Sequence, residues 1–380
     1  LCRSSAASDV YKRQVLRKKT DNTDRLKVSI IRDKIDLKDS AAKLKIEDFE
    51  VDGKKYKLGH LELPGFYQGS KKKKNSRSAV EDVKKLLIKA RKEKVDGLIF
   101  DLSYNGGGVL EGARQIGGLF IKRGPIVATR DTAGQVKYLE DNDSNIYYSG
   151  PLVVLTNRFS ASASEIVAGA LRDYGRALVV GADHTFGKGT VQEVRPLPYN
   201  WGAVKVTTAM FFIPGGDSTQ NKGVDSHFAF PSILNTDEIG EKALDYALKS
   251  QQMPKFIGKD SNFADPEKRW EPLNKDIIKY TKSQSKKRVN ASKKFKEINK
   301  DIKESKENKD VINLAEIRSK AIDLKKKEEK EKKKDGKKKS RSEKRDDLNE
   351  PYVKEAKNVL VDLIKKLREK SGRHVAKKWV

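Results

Sequence analysis

Three short stretches of this sequence hold groups that could carry out acyl chemistry. The first, NRFSASASEIVAGALRDYG at 157–175, sets serines among alanines where an apolar run gives way to a helical pattern. Such a junction can expose a hydroxyl, and the first turn of a helix leaves backbone N–H groups unpaired. Ser162 could therefore act as a nucleophile, with the N–H of Ala163 aimed at the oxyanion that forms on an attacked carbonyl. The same spacing, Ser162 with Glu165 three residues on, also fits a capping box, and by spacing alone the cap is the commoner use.

The second stretch is the loop Asn105, Gly106, Gly107, Gly108, which follows an apolar run. Glycines let the backbone approach a substrate closely or adopt positive φ, so this loop could supply a second oxyanion donor. A phosphate cradle is a rival use, but the lysine and hydroxyl of a P-loop are missing and no G-x-G-x-x-G spacing is present. An ordinary tight turn is the plain alternative. The third stretch, TFGKGTVQ at 185–192, sets Lys188 between two glycines in a loop bounded by Phe186 and Val191. A lysine is a base only when neutral; at an unperturbed pKa of about 10.4, roughly one in 2,500 is neutral at pH 7, and bringing the pKa to about 7.4 costs ~4 kcal/mol. Apolar walls and the positive end of a helix could supply that, and Gln192 could hold the amine without adding charge. A surface lysine is the bland alternative. Histidine is the easier base, and of His60, His184, His227 and His374 the second is near Lys188, so a Ser-His-Asp arrangement with Asp173 or Asp183 stays open as a rival.

These stretches need elements to carry them. The run VDGLIFDLS at 95–103 reads as a buried strand ending at the glycines, and 151–156 as a second buried strand leading into the serines. Ile166, Val167, Ala170 and Leu171 then fall on the inner side of a helix, followed by a strand at 177–180, a loop at 181–190, and strands near 191–195 and 203–213. Upstream, 26–37 alternates as an edge strand and 56–63 is another strand, while 79–90 puts Val80, Val83, Leu87 and Ala90 on one helical face. Strand, helix, strand alternation predicts a mixed α/β layer domain. Beyond about residue 236 helical patterns dominate, at 239–248 and 352–367. The segment 325–345 has 13 Lys or Arg, 5 Asp or Glu and no apolar side chain, which predicts a solvated helix or a disordered linker.

At 380 residues the chain has room for two or three domains. Its formal net charge of +28 could attract nucleic acid, anionic membrane or acidic protein, but the heaviest basic runs lie at 71–74 and 325–345, which fits a folded middle with basic appendages. Cys2 is the only cysteine, which excludes an internal disulfide framework and a cysteine-based zinc site. No run of 18 or more apolar residues argues for a membrane span, and the first residues lack the charged-then-apolar order of a signal peptide. Residues 1–14, LCRSSAASDVYKRQ, show no periodicity and read as a non-native or scar segment.

Taken in order, DLSYNGGG, GPLVVLTNRFSASASEIVAGALRDYGRALVVG, TFGKGTVQ and STQNKGVDSHFAFP resemble the C-terminal processing, or tail-specific, serine protease family, most closely its long periplasmic branch. The resemblance spans residues 24–235 and extends more weakly through PYVKEAKNVLVDLIKKL. It implies Ser162 as nucleophile, Lys188 as base, Gln192 as the residue orienting that lysine, and the N–H groups of Ala163 and of Gly108, or alternatively Gly107, as oxyanion donors. Asp173 matches an acidic position whose expected role is structural. The implied fold is a protease core with crotonase-like α/β layers at 39–235, preceded at 15–38 by the end of a truncated PDZ domain and followed at 236–380 by a helical region containing the Lys-rich segment. The resemblance further implies no metal or cofactor, periplasmic or envelope-associated bacterial localisation, protein substrates with apolar C-termini, a possible adaptor protein and no specific nucleic acid. Two departures stand out: GADHTFGKG carries one residue more than the family's usual pattern, with His184 in the insertion, and most of the PDZ domain is missing, as in a piece of a longer precursor. The rivals are a basic nucleic-acid-binding or scaffold protein with a relic protease core, and a crotonase-like acyl enzyme, for which no coenzyme A site is evident.

Overall fold

The computed structural model describes residues 10–18, 23–31, 41–69, 77–259, 261, 269–307 and 341–370. The chain divides into two units, Leu1–Ser40 and Ala41–Val380. In the first, β1 (Val10–Lys18) pairs antiparallel with β2 (Thr23–Ile31), Val10 opposite Ile31 and Lys18 opposite Thr23. The boundary expected at residue 14 thus falls inside a strand; ladder hydrogen bonds engage every backbone regardless of apolar periodicity, which is why VYKRQ gave no signal. The strand expected at 26–37 begins at Thr23, and its last residues, 32–37, lie outside the described residues. A single hairpin does not by itself make the expected PDZ remnant.

The second unit is built on a six-stranded sheet in the order β12-β9-β8-β5-β4-β3. β3 (Lys43–Val51) runs antiparallel to β4 (Lys54–Glu62), while β4, β5 (Gly97–Asp101), β8 (Leu152–Thr156), β9 (Leu178–Gly181) and β12 (Phe228–Ala229) pair in parallel. The period of two along a strand divides its side chains between two cores. Leu98, Phe100, Leu152 and Val154 face a core shared with α1 (Ala79–Lys92), α2 (Leu110–Gly118) and α3 (Ala163–Asp173), through Val83, Leu87, Ile116, Ile166 and Val167. Ile99, Val153, Leu155 and Val180 face the opposite core, where α4 (Lys275–Ala291), α5 (Lys293–Glu307) and α6 (Arg341–Lys370) contribute Ile277, Phe295, Leu360 and Ile364. Helices on both faces explain why GLIFD and LVVLT are apolar throughout. This is the mixed α/β layering expected.

A second, antiparallel sheet, β10-β11-β6-β7, is formed by β6 (Gly124–Asp131), β7 (Val136–Asp141), β10 (Thr190–Pro196) and β11 (Ala203–Phe212). The helix expected at 239–248 is not formed. Only a 3-10 turn, Glu241–Ala243, occurs there, between Gly240 at φ 141° and Tyr246 at φ 60°. The backbone polar groups of this segment are spent on the loops beside it: Glu241 N–H donates to Phe186 O, and the carbonyls of Thr236 and Ile239 accept from Arg158. In the Lys-rich segment, 325–340 lies outside the described residues, and 341–345 opens α6.

Candidate active site

Three neighbouring parallel strands, β5, β8 and β9, release their chains at the same edge of the sheet, so the loops that follow them meet in space. That edge is where open α/β sheets form their sites. The loops are the glycine stretch before α2, the serine stretch before α3, and the lysine stretch before β10. Between them lies a cleft of about 440 Å³ whose lining includes Gly108, Ser162, Ala163, Lys188, Gln192 and Lys205. Its apolar floor comes from Leu110, Ile166 and Phe211.

The three serines of SASASE have different fates. Ser160 Oγ donates to Leu102 O at 2.8 Å and Ser164 Oγ donates to Asn105 O at 2.7 Å, both buried, so each pins the serine loop to the glycine loop. Ser162 is half-buried at the cleft, at the N-cap of α3, with φ 59° and ψ −113°. A side chain seldom tolerates that backbone geometry, whose cost is typically about 1–3 kcal/mol. Both halves of the capping box are present: Glu165 accepts from the Ser162 N–H at 2.7 Å, and the Ser162 hydroxyl faces the Glu165 N–H.

In the glycine loop the two candidate donors are distinguishable. Gly107, at φ 96°, gives its N–H to Asn105 Oδ1 at 2.9 Å; a Cβ there would sit 2.8 Å from Ser162 Cβ. The N–H groups of Gly108, at φ 146°, and of Ala163 have no hydrogen-bond acceptor among the described residues, and both residues line the cleft. Asn105 is wholly buried and joins the loops: its Nδ2 donates to Leu63 O at 2.7 Å and its carbonyl accepts from Ala161 N–H at 3.0 Å.

Lys188 is half-buried, and its Nζ donates to Gln192 Oε1 at 3.2 Å; no hydrogen bond joins it to Ser162 Oγ. Burial first, and then the Lys205 ammonium, holds the amine below its ordinary pKa, while Glu241 and Glu165 pull the other way. The backbone of the loop is held on all sides. Gly189 N–H donates to Gln220 Oε1 at 2.9 Å, Thr219 Oγ1 donates to Lys188 O at 2.9 Å, and Asn221 N–H donates to Gly187 O at 2.7 Å.

Glu165 is the group that spacing alone identified only as a helix cap. Its fully buried carboxylate accepts from Ser162 N–H (2.7 Å), Lys188 N–H (2.9 Å), Gly187 N–H (2.6 Å) and Thr185 Oγ1 (2.6 Å), so one side chain ties the serine loop to the lysine loop. Burial pushes its pKa up to about 8, against those four donors, which favour the charged form.

The rival triad is not assembled. His184 Nδ1 lies 2.6 Å from Thr185 O, and the Asp183 carboxylate is engaged by Arg158 Nε and Nη2, each at 2.7 Å. Asp173 stands at the far end of α3, roughly 16 Å along the axis from Ser162, where it accepts from Gly215 N–H at 2.7 Å and pairs with Arg172. The lysine loop is anchored on Glu165 through the N–H groups of Gly187 and Lys188. Among the described residues no three His, Cys, Asp or Glu side chains are grouped to hold a metal ion, and no helix is long and apolar enough to cross a membrane.

Residues 57–230 match the family described as Peptidase family S41. The chain is 41% identical over 234 residues to a tail-specific protease of Haemophilus influenzae, an alignment covering 60% of this chain and 32% of that protein. It is 35% identical over 222 residues to a carboxy-terminal-processing protease of Bartonella bacilliformis, covering 58% of this chain and 46% of that one. Among solved structures, a photosystem II D1 C-terminal processing protease is 26% identical with a TM-score of 0.44 over 57% of each chain. The chain spans 32% and 46% of the length of these two curated relatives.

Proposed function

We propose that this chain, whose residues 57–230 match peptidase family S41 and which is similar to tail-specific and carboxy-terminal-processing proteases, is a serine endopeptidase acting on proteins recognised through apolar C-termini. Ser162 Oγ attacks the scissile carbonyl, and Lys188, as the neutral amine, takes the hydroxyl proton. The tetrahedral oxyanion is received by the N–H groups of Ala163 and Gly108. As the intermediate collapses, the C–N bond breaks, Lys188 returns its proton to the leaving amine, and an acyl-enzyme ester remains on Ser162. Water, deprotonated by Lys188, then hydrolyses the ester. Gln192 steers the amine without adding a negative charge beside it. Asp173 holds the far end of α3 and takes no part in the reaction.

The observation that carries this reading is that Ser162, unlike Ser160 and Ser164, is not bonded to the glycine loop and lies in a cleft it shares with Lys188, a lysine held below its ordinary pKa. Gly107, whose N–H already has an acceptor, is the weaker candidate for the oxyanion site. By the resemblance of its motifs to the long periplasmic branch of the tail-specific proteases, the substrates are envelope or periplasmic proteins, with an adaptor protein as a further partner. The PDZ reading of 15–38 belongs to the same proposal.

Cleavage of an unfolded protein with an apolar C-terminus tests it. Ser162→Ala and Lys188→Ala are each expected to reduce the rate by at least a thousandfold, whereas His184→Ala retains it. Loss of activity in His184→Ala with retention in Lys188→Ala would move the base to the histidine.

A further inference from the structure

β11 pairs with β6 only from Ala209 onward, so the other end of the β10–β11 hairpin leaves the sheet as a two-stranded arm. Every residue from 192 to 207 is exposed. The arm turns at Tyr199, Asn200 and Gly202, all at positive φ, and its tip holds Tyr199 at 85% and Trp201 at 75% exposure, their rings 5.6 Å apart. Val194, Leu197, Val204 and Val206 are also exposed. A two-stranded ribbon is marginal by itself in water, and this one exposes six large apolar side chains where charge would keep it soluble.

The register shows where the arm leads. Gln192 stands opposite Thr207, Val194 opposite Lys205 and Pro196 opposite Ala203, so these six share one face. Gln192 and Lys205 also line the catalytic cleft. That face therefore continues the cleft wall outward, from the residue that holds the base, past Val194, to the aromatic tip. β10 is the outer strand of its sheet, and alternate N–H and C=O groups along it point away from β11 and can receive an added strand. The arm's charges, Glu193, Arg195 and Lys205, are of mixed sign, unlike a phosphate-binding surface.

We propose that the β10–β11 arm is a docking surface for an extended, apolar stretch of the polypeptide being cleaved, its face running alongside the chain that leaves the cleft and Tyr199 and Trp201 clasping an apolar side chain at the far end. This rests on the cleft being the site of cleavage. At about 3.3 Å per residue the tip lies roughly 20 Å from Gln192, so a substrate reaches it only if it extends about six residues beyond the scissile bond.

The test compares the full chain with its Tyr199→Ala/Trp201→Ala variant on two peptides of the same cleavage sequence, one four residues long and one sixteen, with apolar flanks. The variant is expected to lose about tenfold in kcat/KM on the long peptide relative to the short one, mainly through KM. Equal losses on both, or none on either, overturn the proposal. A parallel measurement in Ser162→Ala follows the Trp201 emission, expected to shift to the blue with the long peptide and to stay in place with the short one. If the wild-type chain cleaves neither peptide, the assignment of Ser162 fails, and the emission measurement still decides on the arm. A concentration-dependent dimer that dissociates in the double variant would assign the surface to a second copy and overturn the proposal.

Discussion

In the proposed mechanism Lys188 works only as the neutral amine, so its electrostatic surroundings would set the pH at which the chain acts. Its depressed pKa comes first from burial and next from Lys205, whose side chain is exposed on the same cleft wall. Removing that like charge lets the amine regain some basicity. For Lys205→Gln the ascending limb of kcat/KM against pH should move to higher pH, with a loss of about two- to threefold at pH 7 that is recovered at pH 9, while Lys205→Arg keeps the wild-type profile. A limb that stays in place would leave burial as the whole cause. Lys188 was legible in the sequence because two glycines flank it in a motif with a family likeness. Lys205 was not, since nothing in AVKVTT signals that the third residue of a strand returns to the cleft. Glu165 was seen only as a helix cap because its other partners lie 20 to 23 positions downstream, a distance no local spacing rule spans.

Among the elements, β5, β8 and α3 could be read directly from the sequence because helices cover both faces of the strands, and one face of the helix is apolar. β3 was missed because its exposed and half-buried residues alternate among lysines and acids, and α2 because it is nine residues long with three glycines. β6 and β7 form a hairpin with a largely exposed second strand, which leaves little periodicity to detect. The layer of helices on the far side of the sheet is held by more than apolar contact. Arg288 of α4 donates to Glu355 of α6 at 2.9 Å and lies 2.7 Å from Asp362 Oδ2, and both carboxylates are nearly inaccessible. Arg288→Met would strand two buried acids, an arrangement that costs about 3–5 kcal/mol. Urea unfolding should show that loss, partly restored by adding Glu355→Gln; a loss below about 1 kcal/mol would mean that water reaches the pair.

For the molecule as a whole, acid stability follows from His227. It precedes β12 and accepts the Val179 N–H through Nδ1 at 3.0 Å, and burial, then the charge of Arg172, lowers its pKa to about 4. The unfolded chain, titrating near 6.5, takes up the proton first as pH falls. The contribution to stability is therefore full above about pH 6.5 and is lost on the way down through pH 4, by up to about 3 kcal/mol. Melting temperatures of the wild type should fall between pH 7 and pH 4.5 more steeply than those of His227→Asn; parallel slopes would assign the acid sensitivity to other groups. Stability also bears on the backbone at Ser162. Its φ of 59° with ψ −113° suits a residue without a Cβ, so Ser162→Gly should melt above both the parent and Ser162→Ala, by about 1 kcal/mol after the entropy of glycine is subtracted. If Ser162 is the nucleophile proposed above, the active protein is less heat-resistant than its inactive glycine variant. On that proposal, a lineage freed from the need to cut proteins would have a thermodynamic incentive to replace Ser162 first, leaving an intact scaffold around the cleft.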